Sequence, residues 1–165
     1  MTTINVAVAP LSDGRLQFWA VDRQGGVSTS WKTSTDPNAG WTSPTDFLES
    51  VGPLPTGCAQ IAVAPLSDGR LQLWATDNAG GVSSTWKSST DPNSSWTPWV
   101  DFLAGVGPLP AGCIEMAAAP LSDGRLQLWA TDSKGGVSSC WKTSTDPNSS
   151  WTEWSRFEAE ALQPA

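Results

Sequence analysis

Residues 64–102 read APLSDGRLQLWATDNAGGVSSTWKSSTDPNSSWTPWVDF, and closely similar stretches precede and follow them in the chain. The octapeptide PLSDGRLQ is identical at 10–17, 65–72 and 120–127, so the copies are 55 residues apart. Self-similarity at such a spacing indicates one supersecondary unit used repeatedly. We therefore expect three units of one repeat array, at 1–55, 56–110 and 111–165.

Each unit is predicted to be a four-stranded antiparallel meander. Ser67-Asp68-Gly69 is a turn sequence, because Asp bonds locally to the backbone and Gly tolerates positive φ. Beyond it, residues 70–76 alternate between two faces, with a period of two that is typical of a strand. In the middle unit the predicted strands are 61–66, 70–76, 82–88 and 96–102, followed by a Pro/Gly-rich crossover at 103–112.

Both faces of the predicted meander carry bulky apolar side chains. On strand 70–76, Leu71 and Leu73 point one way and Trp74 points the other. Such a sheet must be covered on both sides, and a neighbouring copy of the unit is the natural cover. This arrangement favours an all-β fold of β-propeller blades, with three four-stranded antiparallel blades in each chain.

The charge and composition exclude several classes of function. Sixteen acidic residues against nine basic ones give a net charge of −7, which disfavours nucleic acid and anionic membranes as partners. No segment approaches the ~20 apolar residues of a membrane span, and no signal peptide is seen, so we expect a soluble protein, cytoplasmic or released. The absence of histidine removes Ser-His-Asp and Cys-His catalysis.

The remaining acidic and sulfur side chains have structural interpretations. The repeated aspartates stand in turns, beside Gly, Pro or Asn, so we expect turn formers, no catalysis and no cofactor. The three cysteines, Cys58, Cys113 and Cys140, form no paired or metal-binding pattern and are expected to be buried free thiols. No metal site is expected.

Tryptophan is the abundant aromatic residue, with eleven copies and no tyrosine. A sugar presents apolar C–H faces and a rim of hydroxyls, so its site needs an exposed aromatic plane with a few fixed polar groups. Each repeat supplies tryptophan, arginine and glutamine at fixed offsets on neighbouring strands. The same arginines could instead brace the Asp-Gly turns, and the tryptophans could be core. The candidate carbohydrate-binding residues are Arg15, Gln17, Trp19, Trp31, Arg70, Gln72, Trp74, Trp86, Arg125, Gln127, Trp129 and Trp141.

The repeat, D-G-R-L-x-apolar-aromatic-A-x-D followed by a glycine turn, a Trp-bearing strand and W-x-x-W, resembles that of β-propeller lectins. It is similar to the bacterial seven-bladed lectins typified by those of Photorhabdus, and more loosely to tectonin-type propellers. The resemblance implies a multivalent carbohydrate-binding lectin, with fucose- or galactose-type monosaccharides as the first ligands to test. By the same resemblance, Trp31/86/141 and Trp41/96/151 match blade-packing positions.

Three blades are too few for a closed propeller, which typically has about 4–8. We therefore expect closure by homo-oligomerisation, with a six-bladed dimer favoured over a nine-bladed trimer. A β-trefoil, which also has three four-stranded repeats, is the alternative fold. A self-assembling propeller scaffold, natural or designed and without a small ligand, is the alternative function.

Overall fold

The computed structural model describes residues 2–54 and 56–157 of the chain. They form three separate four-stranded antiparallel sheets, each built from four consecutive strands in sequence order. The C-terminal part of the third predicted unit, residues 158–165, lies outside the described residues. The elements are β1 (Thr3–Pro10), β2 (Leu16–Asp22), β3 (Val27–Trp31), β4 (Thr45–Asp46), α1 (Phe47–Val51), β5 (Gln60–Pro65), β6 (Leu71–Thr76), β7 (Val82–Trp86), β8 (Val100–Asp101), α2 (Leu103–Val106), β9 (Cys113–Pro120), β10 (Leu126–Asp132), β11 (Val137–Trp141) and β12 (Ser155–Arg156).

The predicted turn and the two-sided burial are confirmed. Gly69 has φ of 90°, which only glycine adopts readily, and it joins β5 to β6. All six residues of β6 are buried, so this strand is covered on both faces. The cover on each side is a neighbouring sheet, as the sequence pattern predicts for a blade.

The fourth strand is much shorter than predicted. In the middle sheet, β8 pairs with β7 at Val100 and Asp101 alone, and Trp96 makes only an isolated bridge to Lys87. Between them the Thr97 hydroxyl accepts a hydrogen bond from the Trp86 N–H at 3.2 Å. A side chain thus takes a donor that a longer ladder would have used, and the chain leaves the sheet.

The crossovers begin with single helical turns that no ten-residue periodicity could reveal. Asp46 caps α1, because its carboxylate accepts hydrogen bonds from the backbone N–H groups of Leu48 and Glu49. The second crossover has a similar contact one residue earlier relative to its helix, where the Leu103 N–H donates to the Asp101 carboxylate at 3.0 Å. Phe47, the first residue of α1, and Phe102, immediately before α2, therefore lie at the boundary with the next sheet.

The first strands of consecutive sheets are linked by hydrogen bonds. The Ile61 N–H on β5 donates to Asn5 Oδ1 on β1 at 2.9 Å. One sheet further along, the Met116 N–H on β9 donates to Gln60 Oε1 at 2.9 Å. The sheets therefore stack as successive blades, with their first strands adjacent.

The fold is a set of β-propeller blades, as predicted. A β-trefoil would require strands of different repeats to pair in a common barrel. Among residues 2–54 and 56–157, every paired strand has its partners within its own repeat, so the trefoil alternative is wrong. Nor does this part of the chain contain a helix with the length and apolar character needed to cross a membrane.

The cysteine prediction is confirmed. Cys58, Cys113 and Cys140 are free and buried. Burial raises the pKa of each thiol to about 12, so all three stay protonated at neutral pH.

Candidate functional site

Two pockets of the same design lie between consecutive blades. The first, between blades one and two, has a volume of about 570 Å³, and the second, between blades two and three, about 420 Å³. The preceding blade supplies its Asp-Gly-Arg turn and strand ends, and the following blade supplies its Asp-Pro-Asn loop. Residues shared by position between the two pockets include Leu11/66, Arg15/70, Gln17/72, Trp31/86, Phe47/102, Lys87/142, Asn93/148 and Trp96/151.

The arginine of each pocket is held by the turn that precedes it. Arg70 Nε lies 2.7 Å from the Asp68 carboxylate, and its Nη1 donates to the Lys87 carbonyl at 3.5 Å. The remaining nitrogen, Nη2, contacts Asn148 Oδ1 of the next blade at 3.4 Å. Arg70 therefore braces the turn and also lines the pocket, so the two sequence interpretations are compatible.

The aspartates that hold Arg15 and Arg125 have lowered pKa values. Burial works to raise the pKa of Asp13, but the hydrogen bonds from Arg15 outweigh it and the pKa lies below its usual value. Hydrogen bonds from Arg125, first from its backbone N–H, lower the pKa of Asp123. Each of these turns thus holds an ion pair between its aspartate and its arginine.

The glutamine of each pocket is oriented by a hydroxyl. Gln72 Nε2 donates to Ser84 Oγ at 3.0 Å, and that hydroxyl donates to the Leu73 carbonyl at 3.1 Å. Because the hydroxyl proton is already used, the glutamine must be the donor, and this fixes its amide orientation. Thr29 orients Gln17 in the same way, at 2.9 Å. Gln72 Oε1 accepts no hydrogen bond from the described residues, so it is available to a ligand.

Two tryptophans form the apolar walls. Trp86 comes from the preceding blade and Trp151 from the following one, and both are partly exposed. Lys142 Nζ sits 5.0 Å from the Trp151 ring centroid and donates to the Pro147 and Ser149 carbonyls, each at 3.0 Å. Burial lowers the pKa of this lysine, as it does for Lys87. Lys142 thus holds both the Asp-Pro-Asn loop and the Trp151 ring in place.

The Trp19/74/129 set does not line either pocket. Trp19 and Trp74 are completely buried, and Trp74 packs edge-on against Phe102 at 6.1 Å and Trp151 at 5.8 Å. Packing of a neighbouring blade buries this strand face behind the pocket wall, so Trp19 and Trp74 cannot stack on a ligand that enters from solvent. Trp129 is partly exposed, at the end of the blade stack.

The sequence interpretation missed the half of each pocket that comes from the following blade. The Ser12 hydroxyl donates to the Thr90 carbonyl at 2.6 Å, and Ser67 repeats this contact with Thr145 at 2.7 Å. These bonds dock each Asp-Pro-Asn loop on the turn of the preceding blade. The recurrence of Thr-Asp-Pro-Asn was visible in the sequence, but its docking on another repeat was not.

The candidate residues of blade three, Arg125, Gln127 and Trp141, form one half of such a pocket. Arg125 pairs with Asp123 at 2.7 Å, and Gln127 donates to Ser139 at 2.8 Å, as in the first two blades. Trp141 is partly exposed beside them. The described chain offers no following loop to this set.

The pockets combine apolar walls with oriented donors and acceptors, an arrangement that can hold a polyhydroxylated ligand with apolar faces. Nowhere in the described ranges do three or more His, Cys, Asp or Glu side chains gather in a way that could hold a metal ion.

The fold and the pockets together define an array of β-propeller blades with clefts between them, and solved structures contain the same architecture. A triple arginine-to-alanine mutant of AofleA from Arthrobotrys oligospora matches with TM-score 0.62 and 7% identity over 96% of this chain and 43% of that one. Hadza microbial sialidase Hz136 matches with TM-score 0.57 and 16% identity over 89% and 36%. A mutant of the Aleuria aurantia lectin AAL, in complex with Fucalpha1-6GlcNAc, matches with TM-score 0.52 and 12% identity over 95% and 48%.

At these identities the similarity concerns the fold. The chain spans between 36% and 48% of the length of these three proteins. No protein-family model matches the sequence, and no curated protein matches it either.

Proposed function

We propose that the protein is a multivalent carbohydrate-binding lectin without catalysis, whose sites lie between its blades. The observation that carries the proposal is the pair of equivalent pockets, each with an arginine, an oriented glutamine and two partly exposed tryptophans. A single catalytic centre has no reason to recur with each repeat. Repeated weak sites, in contrast, raise the avidity for a surface that displays many glycans.

The chemistry of the pockets supports a carbohydrate as the ligand. Trp86 and Trp151 offer ring faces or edges to the C–H face of a pyranose, and Arg70 and Gln72 offer a donor and an acceptor to its hydroxyls. One structural neighbour was solved with a fucosylated disaccharide, Fucalpha1-6GlcNAc. Fucose- or galactose-type monosaccharides are therefore the first ligands to test.

The state of the carboxylates supports binding rather than hydrolysis. Glycoside hydrolysis needs one carboxyl group whose pKa is raised so that it can donate a proton. In the turn beside the first pocket, the effect of burial on Asp13 is outweighed by its hydrogen bonds from Arg15, so the pKa of Asp13 is lowered, and hydrogen bonds from Arg125 lower the pKa of Asp123 in the equivalent turn of blade three. Asp46, on the rim of the first pocket, is engaged in capping α1.

Closure of the propeller is part of the proposal. Two copies of three blades make six, within the usual range of about 4–8 blades, whereas three copies make nine. We therefore propose a homodimer with a closed ring.

The test is a calorimetric titration with methyl α-L-fucoside and methyl β-D-galactoside. Arg15→Ala and Arg70→Ala each remove one pocket arginine, and we expect each variant to lose one class of site. Arg23→Ala is the matched control, because Arg23 is an exposed arginine outside both pockets. A folded protein that binds neither glycoside nor any member of a glycan array would favour the scaffold alternative.

A further inference from the structure

We infer that a second copy of this chain completes a third glycan site, which neither copy contains alone. One copy contributes Arg125, Gln127 and Trp141, and the second contributes Lys32, Asn38 and Trp41. The inference rests on the proposed function for the identity of the ligand. Its geometry rests on the two outer faces of the blade stack. The leading flank is the face of blade one that carries Val6 and Phe18, and the trailing flank is the face of blade three that carries Trp129 and Phe157.

The leading flank has the surface of a covered blade but lacks the cover. Val6 on β1 is 57% exposed, whereas Ile61 and Met116, at the same position of β5 and β9, are 2% and 4% exposed. Beside it, a cleft of about 630 Å³ is lined by apolar groups that include Phe18, Trp41 and Pro44. The trailing flank of another blade covers this position in blades two and three.

The trailing flank carries an aromatic pair that can pack against Trp41 of the leading flank. Trp129 and Phe157 pack edge-on with centroids 6.2 Å apart, as Trp19 and Phe47 do at 6.1 Å. The Trp19–Phe47 pair receives Trp96 of the next blade, 5.9 Å and 5.3 Å from the two rings. A Trp41 from a second copy would occupy the same place against Trp129 and Phe157.

Backbone groups at the two flanks are complementary as well. Asn5 and Gln60 accept hydrogen bonds from the first strand of the next blade. Glu115 holds this position on β9, so its carboxylate can accept from the Val6 N–H of a second copy.

The loop that must complete the third site is already formed. Lys32 Nζ lies 5.8 Å from the Trp41 centroid and donates to the Pro37 and Ala39 carbonyls, as Lys87 does in its own loop. Trp41 is nevertheless 45% exposed, because no preceding blade packs on it. The described residues of each half of the third site are therefore already in the arrangement that they have in a complete pocket.

The occupant is a second copy because each flank repeats most of the surface that pairs with the other inside the chain. The difference is Pro44, which takes the place of Trp99 and Trp154 on the leading flank. A head-to-tail dimer joins both pairs of flanks at once and leaves none uncovered. It yields three glycan sites for each chain, two within the chain and one shared.

The experiment counts bound methyl α-L-fucoside, or whichever glycoside the wild-type protein binds, by calorimetry and native mass spectrometry. The variants are Arg125→Ala, on one half of the shared site, and Trp41→Ala, on the other. We expect three sites per chain for the wild type and two for each variant as a homodimer. A dual-tag purification of mixed chains should give a heterodimer with one shared site restored, because one junction then has both intact halves.

The outcomes separate this inference from the proposed function. Binding at two sites per chain in a wild-type dimer, or no gain in the mixed dimer, overturns the shared site but leaves the lectin intact. A wild-type monomer also overturns it, whereas a dimer that binds no glycan overturns the proposed function. If Trp41→Ala does not assemble, Asn38→Ala replaces it, and the loss of a rim hydrogen bond should weaken the third site about tenfold.

Discussion

Gln60 and Met116 exchange two hydrogen bonds across the boundary between blades two and three. The Met116 N–H donates to Gln60 Oε1 at 2.9 Å, and Gln60 Nε2 donates to the Met116 carbonyl at 2.9 Å. One side chain therefore satisfies a backbone donor and a backbone acceptor of another blade, as a ladder bond would within a sheet.

Replacing Gln60 with leucine should destabilise the protein by about 1–3 kcal/mol, because it leaves the Met116 backbone groups without partners in a buried boundary. Urea denaturation measures the change. The matched control is Gln24→Leu at an exposed turn position, which we expect to change the free energy of unfolding by less than about 0.5 kcal/mol. Equal effects of the two substitutions would refute a role for Gln60 in joining the blades.

Substitutions of Trp74 test whether its ring belongs to the core or stacks on a ligand. Trp74→Ala should cost about 3–5 kcal/mol, since the ring is completely buried between two blades. Trp74→Phe should cost clearly less, because it keeps an aromatic ring and removes an Nε1 that has no partner among the described residues. Thermal unfolding of the wild type and the two variants measures their relative stabilities. An alanine variant that is as stable as the wild type but no longer binds sugar would place Trp74 in the site instead.

Cys140 should give a pH-dependent contribution to stability. Its pKa is about 12 in the folded protein and nearer 9.0 without burial, so below pH 9 both states keep the proton. Above that pH the unfolded state releases it first, and the stability due to this thiol falls by about 1.4 kcal/mol per pH unit. Thr85 occupies the equivalent position in blade two, which makes Cys140→Thr the matched variant. Urea denaturation of both proteins between pH 7 and pH 11 measures the difference. A constant difference over this range would contradict the thiol's burial.

Lys87 organises the loop that closes the first pocket. Its Nζ donates to the Pro92 and Ser94 carbonyls at 3.0 and 3.2 Å and lies 5.2 Å from the Trp96 centroid. Lys87→Met should loosen this loop and abolish binding at the first site while the second site keeps its affinity. The same substitution at exposed Lys134 should leave both sites unchanged, and calorimetry can follow both variants. Loss of both sites together would show that Lys87 acts on the whole fold.

The repeat and the two-faced strands could be predicted because they depend on local pattern. The identical Ser-Asp-Gly turns and the alternation from Arg70 to Thr76 specify a blade without knowledge of its neighbours. The Arg and Gln positions followed from the same strand face, and those of blades one and two line the pockets.

The assignment of the tryptophans could not be made from the same pattern. Trp74 and Trp86 lie on one face of the sheet, two strand positions apart, so alternation alone treats them alike. What separates them is the position of the next blade, which covers Trp74 and leaves the edge of Trp86 open. The Thr97 hydroxyl that interrupts the fourth strand also acts through a specific contact that residue type does not reveal.

A crystal structure with methyl α-L-fucoside, or whichever glycoside binds in solution, tests the central claim most directly. We predict sugar density between consecutive blades, with Arg15 and Trp31 at the first site and Arg70 and Trp86 at the second. Density at any place other than the clefts between blades, such as a position against the exposed faces of the first strands, would contradict the account.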